Sequence, residues 1–379
     1  MLELSKIKAF FTNYSGAIFG FILLSFGFDF INKIELFYGL GIIKLSRILK
    51  ALFLAYSLVF IMSYYKYVYK HLKVLSLVIL TLSIVFLLKD NFSERYVSEY
   101  IRYIFVLLLF PLLHYTFVNK DKNLLNKLYK LFKWLVLINA ILILISALFE
   151  LRIFNTYYRG RFGFNGIILS QGFIPFFYLT ATTLFWALKD KKMLLLVLLL
   201  SILSGVKGVY FGVCLLLGLL VILNHKYSKS FKIKVLGLLA IAFIGLLMGL
   251  FLTPIFKEVI ESNSLLTAIF SFRIENTITL LNQINLDNYN LLIGTLSLKQ
   301  VRLEMQISDI ILFFGLIGLF AYIIFFYFLQ KSLVKDSISK AFFISTLVLS
   351  ALSGNLLYIP MSSILMFLVL IALYNKSIK

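Results

Sequence analysis

Along this chain apolar residues do not alternate with polar ones. They come in solid blocks, parted by short polar stretches dense in lysine. "MLLLVLLLSILSG" and "FGLIGLFAYIIFF" are typical, and neither shows the period of two that a half-buried strand needs. A helix rises about 1.5 Å per residue and a bilayer core is about 30 Å thick, so such blocks have the length of spanning helices. They predict twelve, near 10–28, 48–65, 72–88, 101–118, 131–149, 164–188, 193–204, 208–223, 235–252, 308–329, 341–352 and 356–374. Most connections are short, but residues 253–307 form one large loop between the ninth and tenth spans. Within it, "LLTAIFSFRIENTITLLNQI" has a helical period suited to lying along a membrane surface or capping the bundle. No solenoid repeat or low-complexity linker divides residues 1–379, so a single domain is expected.

Composition turns this pattern into a class. With 61% hydrophobic residues, 14% charged residues and a mean hydropathy of +0.99, too little polar surface exists to clothe a soluble globule. Ten-residue alternating strands of a membrane barrel are missing, which leaves helices to satisfy the backbone in lipid. The expected fold is all-α, polytopic and membrane-embedded. No small-residue cleavage site follows the first apolar run, so a cleavable signal peptide is not expected. The single cysteine, Cys214, offers no intramolecular disulfide and no Cys/His metal cluster.

A net charge of +21 would point to nucleic acid in a soluble protein, but here topology accounts for it and no nucleic-acid partner is expected. With the N-terminus inside, the inner segments hold 22 lysines and no arginine, net +18, against +3 outside. Lys and Arg together favour N-in, C-in by 22 to 15. All eight arginines then fall outside. Lysine serves as a solvated charge, whereas guanidinium grips phosphate or carboxylate through paired hydrogen bonds and sheds water more readily. The asymmetry points to an anionic ligand on the outer side; interface anchoring or codon bias would produce it too.

No phosphate-cradling glycine loop, Asp-x-Asp pair or Gly-x-Ser-x-Gly elbow is present. His114, the histidine nearest a span interior, reads as a packed polar residue. Three constellations remain. In "TYYRGRFGFNGIILSQG", Arg159 and Arg161 open the sixth block, and Asn165 and Gly172 lie seven apart on one helix face. Pro175 is expected to kink that span and leave room for a ligand. In "LSGVKGVYFG", Lys207 sits between glycines in a tight turn, which a small-residue helix contact explains equally well. In "VRLEMQISDIILFFGLIGLFAYIIFF", Arg302, Glu304 and Asp309 crowd the outer end of a span. Asp309 suits a helix N-terminus, while Glu304, beside an arginine at the membrane boundary, is expected to be partly desolvated and tuned as a general base.

Together these segments resemble the O-antigen polymerase (Wzy-type) and O-antigen ligase superfamily of bacterial polysaccharide enzymes. The likeness runs from about residue 150 to the C-terminus and, through span count and the large loop, more loosely before it. Polymerases of this kind carry an arginine, ten residues and a glycine in an outer loop, and Arg161 to Gly172 fits; Arg152 to Gly163 has the same spacing. Where the ligases have a serine, arginine, glycine turn before a span, "SGVKG" places Lys207. Counting back from "GLIG" at 315–318, the ligases' catalytic histidine position falls on Glu304. With no outer histidine, the resemblance implies a polymerase rather than a ligase.

It further implies a GT-C-like architecture in the bacterial cytoplasmic membrane, with the active site facing the periplasm or outside. The reaction would transfer a glycan from an undecaprenyl diphosphate carrier to a hydroxyl of a second lipid-linked repeat unit, with no cofactor, metal or nucleotide. Arg161, Arg159, Arg273, Arg302 and Lys207 are the candidates for the diphosphate, Glu304 and then Asp309 for the base, and Asn165 and Gly172 for the substrate path. Membrane lipid and a chain-length regulator are the further partners implied. A flippase or transporter of lipid-linked oligosaccharide is the rival from another class, and a noncatalytic carrier-lipid scaffold a third.

Overall fold

The computed structural model describes residues 13–39, 45–89, 91–157 and 161–378. It is helical nearly throughout. The helices are α1 (Tyr14–Tyr38), α2 (Leu45–Ser63), α3 (Tyr65–His71), α4 (Lys73–Leu87), α5 (Glu94–His114), α6 (Leu124–Phe149), α7 (Ile174–Ala187) and α8 (Lys191–Leu203). After these come α9 (Lys207–Ile222), α10 (Lys229–Phe251), α11 (Pro254–Ser262), α12 (Leu265–Phe270), α13 (Arg273–Leu281), α14 (Gln306–Leu333), α15 (Ser337–Ser353) and α16 (Pro360–Ser377). A two-stranded antiparallel hairpin, β1 (Tyr289–Asn290) and β2 (Gly294–Thr295), lies between α13 and α14.

Among the described residues, seven helices are long and apolar enough to cross a membrane: α1, α2, α5 with its π-helical extension Tyr115–Lys120, α6, α10, α14 and α16. The pair α3 and α4, bent by 100° at Leu72, makes an eighth if it is one broken span. Three apolar helices, α7, α9 and α15, are shorter, at 14, 16 and 17 residues. This is an all-α, membrane-embedded protein.

Two helices show why hydropathy alone does not place an element. The apolar window of α16 is 78% buried, packed against α5, α6, α7 and α15, whereas that of α10 is 6% buried and rests on α9. Both are apolar on every side. Lipid tails are as apolar as leucine, so a central helix and a rim helix carry the same signature.

The sixth predicted block is where expectation and structure part. Only 174–187 is helical, and residues 161–173 run as turns and extended chain, with Asn155 bridged to Phe164. Asn165 and Gly172 therefore share no helix face. Gly163 and Gly166 adopt φ of +142° and +51°, conformations that break a helix and suit glycine. Pro175 stands in the first turn of α7, where its missing N–H costs nothing, so it starts the helix and does not kink it. The segment is pinned by backbone crossing: Gly163 and Gly205 approach so closely that a Cβ on either would collide with the other strand's backbone.

The large loop is also structured. Its helical-period stretch becomes two helices, α12 and α13, separated by Ser271 and Phe272 at φ of 53° and 63°. The hairpin then wedges into α14, which is interrupted at Gly315 (φ 66°, ψ −164°). The freed N–H groups of Leu316 and Ile317 donate to the carbonyls of Leu291 and Leu292 at 2.9 and 3.2 Å. The freed carbonyl of Phe313 accepts from the buried Lys89 ammonium. Inside a membrane each such group needs a partner, and the loop and Lys89 supply them.

Candidate functional site

Of the charged residues singled out in the sequence, the described ones, Arg161, Lys207, Arg273, Arg302, Glu304 and Asp309, gather at the end of the bundle where α9 and α14 begin and α15 ends. They form two adjoining clusters. The first is built on Phe256 of α11, which is 3% exposed. The Arg161 guanidinium stands 4.7 Å and the Lys207 ammonium 5.0 Å from the centre of its ring. Arg161 also lies 5.1 Å from the centre of the Tyr157 ring. Burial pushes the Tyr157 hydroxyl above its ordinary value, while the charge of Arg161 and a hydrogen bond from it, and then the charge of Arg273, pull it back.

The three cations differ in what they have left to give. Lys207, the first residue of α9, donates to the carbonyls of Ala268 and Ile269 and to the Ser271 hydroxyl, closing the end of α12. Its three donors are spent, so it acts as a strut that adds charge. Arg273 pairs with Glu304 at 3.2 Å, and its Nε is buried with no partner. Among the described residues, Arg161 has no carboxylate within ion-pair distance. The carboxylates nearby are Glu304 and Glu275, the latter taking the Thr267 hydroxyl. Arg159 lies outside the described residues.

The second cluster surrounds Tyr358. Arg302 stacks on its ring at 3.4 Å and Arg102 at 4.6 Å. Arg302 also donates to the Gly354 carbonyl at 3.1 Å and to Asn355 Oδ1 at 2.6 Å. Its Nε sits 3.7 Å from Asp309 Oδ2, an ion pair too long to be a hydrogen bond. Asp309, in the first turn of α14, is fully buried and accepts the Leu303 N–H through Oδ1. Gly172 backs onto this cluster: a Cβ there would come 2.5 Å from Asn355 Nδ2.

Two expectations change. Glu304 was to be the desolvated carboxylate, but its side chain is 58% exposed and Asp309 is the buried one. The reason is local: Glu304 has φ 61° where its backbone presses on Gly354, which turns the side chain outward. Asn165 does not line the approach to Arg161 on a helix. Its Oδ1 accepts from the buried Lys33 ammonium of α1 at 2.5 Å, beside the carbonyls of Gly166 and Ile168.

Sequence reasoning passed over Tyr157, Phe256, Tyr358, Glu99 and Lys33. The aromatic anchors had no distinguishing signal in a chain that is 17% aromatic. Lys33 had one, as a cation inside an apolar stretch. Apolar grooves lie elsewhere, on either side of α10; one, of about 250 Å³, is bounded by Phe211, Cys214, Gly218 and Phe243. Volume and charge disagree about where a ligand would sit. Charge is the better guide, because grooves along a rim helix fill with lipid tails.

The fold and these clusters define a class: a helical, membrane-embedded protein with guanidiniums and carboxylates collected at one end. No family model, curated protein or solved structure matches the chain.

Proposed function

We propose that the chain is a polysaccharide repeat-unit polymerase of the bacterial cytoplasmic membrane, with about twelve membrane segments, both termini inside, and its charged clusters facing the periplasm or outside. One observation carries this reading. Arg161, in contact with the Tyr157 and Phe256 rings and with no acidic partner among the described residues, stands near Lys207 and Arg273. The aromatic faces hold the guanidinium, the Tyr157 hydroxyl draws on its N–H groups, and with no carboxylate in reach the remaining donors are free for an anion. An undecaprenyl diphosphate headgroup is such an anion, and its developing charge as it departs is what fixed guanidiniums stabilise.

In the reaction, a hydroxyl oxygen of the acceptor sugar attacks the anomeric carbon of the donor glycan. The bond from that carbon to the diphosphate oxygen breaks, and its electron pair leaves with undecaprenyl diphosphate. Glu304, exposed and held by Arg273, takes the hydroxyl proton. Asp309 is the second candidate base. The glycosyl phosphate bond supplies the energy, so neither nucleotide nor cofactor enters, and a chain-length regulator would act on the growing product.

The test is purified protein in nanodiscs with undecaprenyl diphosphate-linked repeat units. Longer glycans on a gel, lost in Arg161→Ala, are the expected result; lipid-linked units left unextended by wild type would defeat the reading. A carrier is the second reading, favoured by the interruption of α14 at Gly315 with Lys89 buried against it, since broken helices line many transport sites. Translocation without elongation would identify it.

A further inference from the structure

Buried polar atoms without partners are rare in folded proteins because each costs the desolvation it is not repaid. Among the described residues 15 such side-chain atoms occur, and five belong to one place, the cluster around Tyr358. They are Glu99 Oε2, the Tyr103 hydroxyl, Arg302 Nε, Gln306 Nε2 and Asp309 Oδ2. The Tyr358 hydroxyl donates to Glu99 Oε1 at 3.2 Å, Arg102 pairs with that same oxygen at 3.3 Å, and the Tyr103 and Tyr358 rings lie 6.5 Å apart. The charges of Asp309, Arg302 and Glu99 all act on the Tyr103 hydroxyl, which puts these groups in its neighbourhood. Gln306 spends its Oε1 on the Leu357 N–H, which leaves its amide nitrogen over.

The chemistry of what is unmet selects a ligand. Two guanidiniums face two carboxylates, so the cluster is formally neutral and attracts neither a phosphate nor a cation by net charge. A phosphate would need donors only, and a metal ion acceptors only. Here Arg302 Nε and Asp309 Oδ2 face each other at 3.7 Å, too far apart to hydrogen-bond, while Glu99 Oε2 lacks a donor, the Gln306 amide lacks an acceptor, and the Tyr103 phenol can do either. A group that both donates and accepts at each position is a hydroxyl. Access is from the side of Arg102 and Arg302, whose side chains are 37% and 20% exposed.

We propose that this cluster is a subsite for a neutral, polyhydroxylated ring, in which Glu99, Tyr103, Gln306 and Asp309 bind successive hydroxyls of one sugar. Only Leu303 separates Arg302 from Glu304, so a ring seated there abuts the Arg273 and Arg161 cluster. Its identity as the acceptor sugar rests on the polymerase reading; sugar binding itself does not.

Saturation-transfer difference NMR on the full chain in nanodiscs separates the two. The probes are millimolar methyl glucoside, N-acetylglucosamine and rhamnose, with inorganic phosphate as competitor. At least one sugar should take up saturation, phosphate should not displace it, and Tyr103→Phe and Glu99→Gln should each cut the signal at least fivefold. Tyr103→Phe removes a hydroxyl with no protein partner, so its melting temperature should hold or rise while binding falls, which a structural role would not produce. No transfer to any sugar, equal signals in both variants, or displacement by phosphate would overturn the proposal. Failure of elongation with intact sugar binding would defeat the polymerase reading alone. Elongation with an acceptor KM unmoved by Tyr103→Phe would defeat the assignment of this subsite to the acceptor sugar.

Discussion

The guanidinium of Arg273 and the carboxylate of Glu304 lie 3.2 Å apart although 31 residues separate them in the chain. That pair ties α13 to the segment entering α14 and so brings the Arg161 cluster against the Tyr358 cluster. If the first holds a diphosphate, each guanidinium with spare donors contributes on the scale of one preorganised hydrogen-bond donor. Removing one such donor slows a reaction by about 10²-fold to 10³-fold. Arg161→Ala and Arg273→Ala should each lower the elongation rate by about 10²-fold at equal protein, and Arg161→Lys should recover part of it, since an ammonium restores charge without the fork. A full rate in Arg161→Ala would remove the headgroup assignment.

Asp190 gives a stability prediction at the opposite end of the molecule. It caps α8, accepting the Met193 N–H at 3.1 Å and the Tyr129 hydroxyl at 2.8 Å. The Met193 N–H, then the Tyr129 hydroxyl, hold its carboxyl below the ordinary value of 3.8. A lowered carboxylate contributes stability that is complete above the unfolded-state value and is lost as pH falls through the folded one. Asp190→Ala should therefore cost about 1 kcal/mol at neutral pH, the usual worth of an N-cap. Melting temperatures of wild type and variant, measured from neutral pH downward, should converge only below about pH 4. A gap that stays constant into that acid range would assign the cap to geometry alone.

How much of this was legible follows from what each residue does. The apolar blocks marked a helix near every predicted position, because chain in lipid must close its own hydrogen bonds. The exception, 161–173, is held open by Gly163, Gly166 and the Gly205 crossing, and glycine conformation is set by a contact across the fold that no local window contains. The arginine-to-glycine spacing found the right segment for an incomplete reason. Arg161 reaches the first cluster, while Gly172 makes room for Asn355 in the second. Glu304 and Asp309 were both found, but which is buried depended on the turn at Gly354. The five unmet polar atoms were invisible, since Glu99 and Tyr103 on α5 meet Arg302, Gln306 and Asp309 from the start of α14, far away in sequence.

Lys33 is the test of that open segment. Its ammonium, 1% exposed, meets Asn165 Oδ1 and the Gly166 carbonyl at 2.5 Å and the Ile168 carbonyl at 3.4 Å. Lys33→Met keeps the length and removes the donor, leaving buried oxygens unpaired at about 1–3 kcal/mol each. The melting temperature should fall. Elongation should drop with it, although Lys33 touches neither cluster, because the chain carrying Arg161 loses its anchor. Unchanged melting together with an unchanged elongation rate would mean that the segment is held by the glycine crossing alone.

Gly315 asks whether the interruption of α14 is required. At φ 66° and ψ −164° it occupies a region that other residues adopt only under strain, and a Cβ there would run into the backbone of Leu292. Alanine must push the hairpin away or straighten the helix. Either movement frees the N–H groups of Leu316 and Ile317 from the Leu291 and Leu292 carbonyls and takes the Phe313 carbonyl from Lys89. A straightened α14 would repair its own ladder, so folding should survive at a cost of about 1–3 kcal/mol. The hairpin would lose its seat. Since β2 leads directly into Arg302 and Glu304, both clusters should shift, and elongation should fall more steeply than the melting temperature. Limited proteolysis reads the difference: cleavage between residues 285 and 300 should quicken in Gly315→Ala and not in wild type. An unchanged cleavage rate would show that the wedge is an ornament on a helix that does not need it.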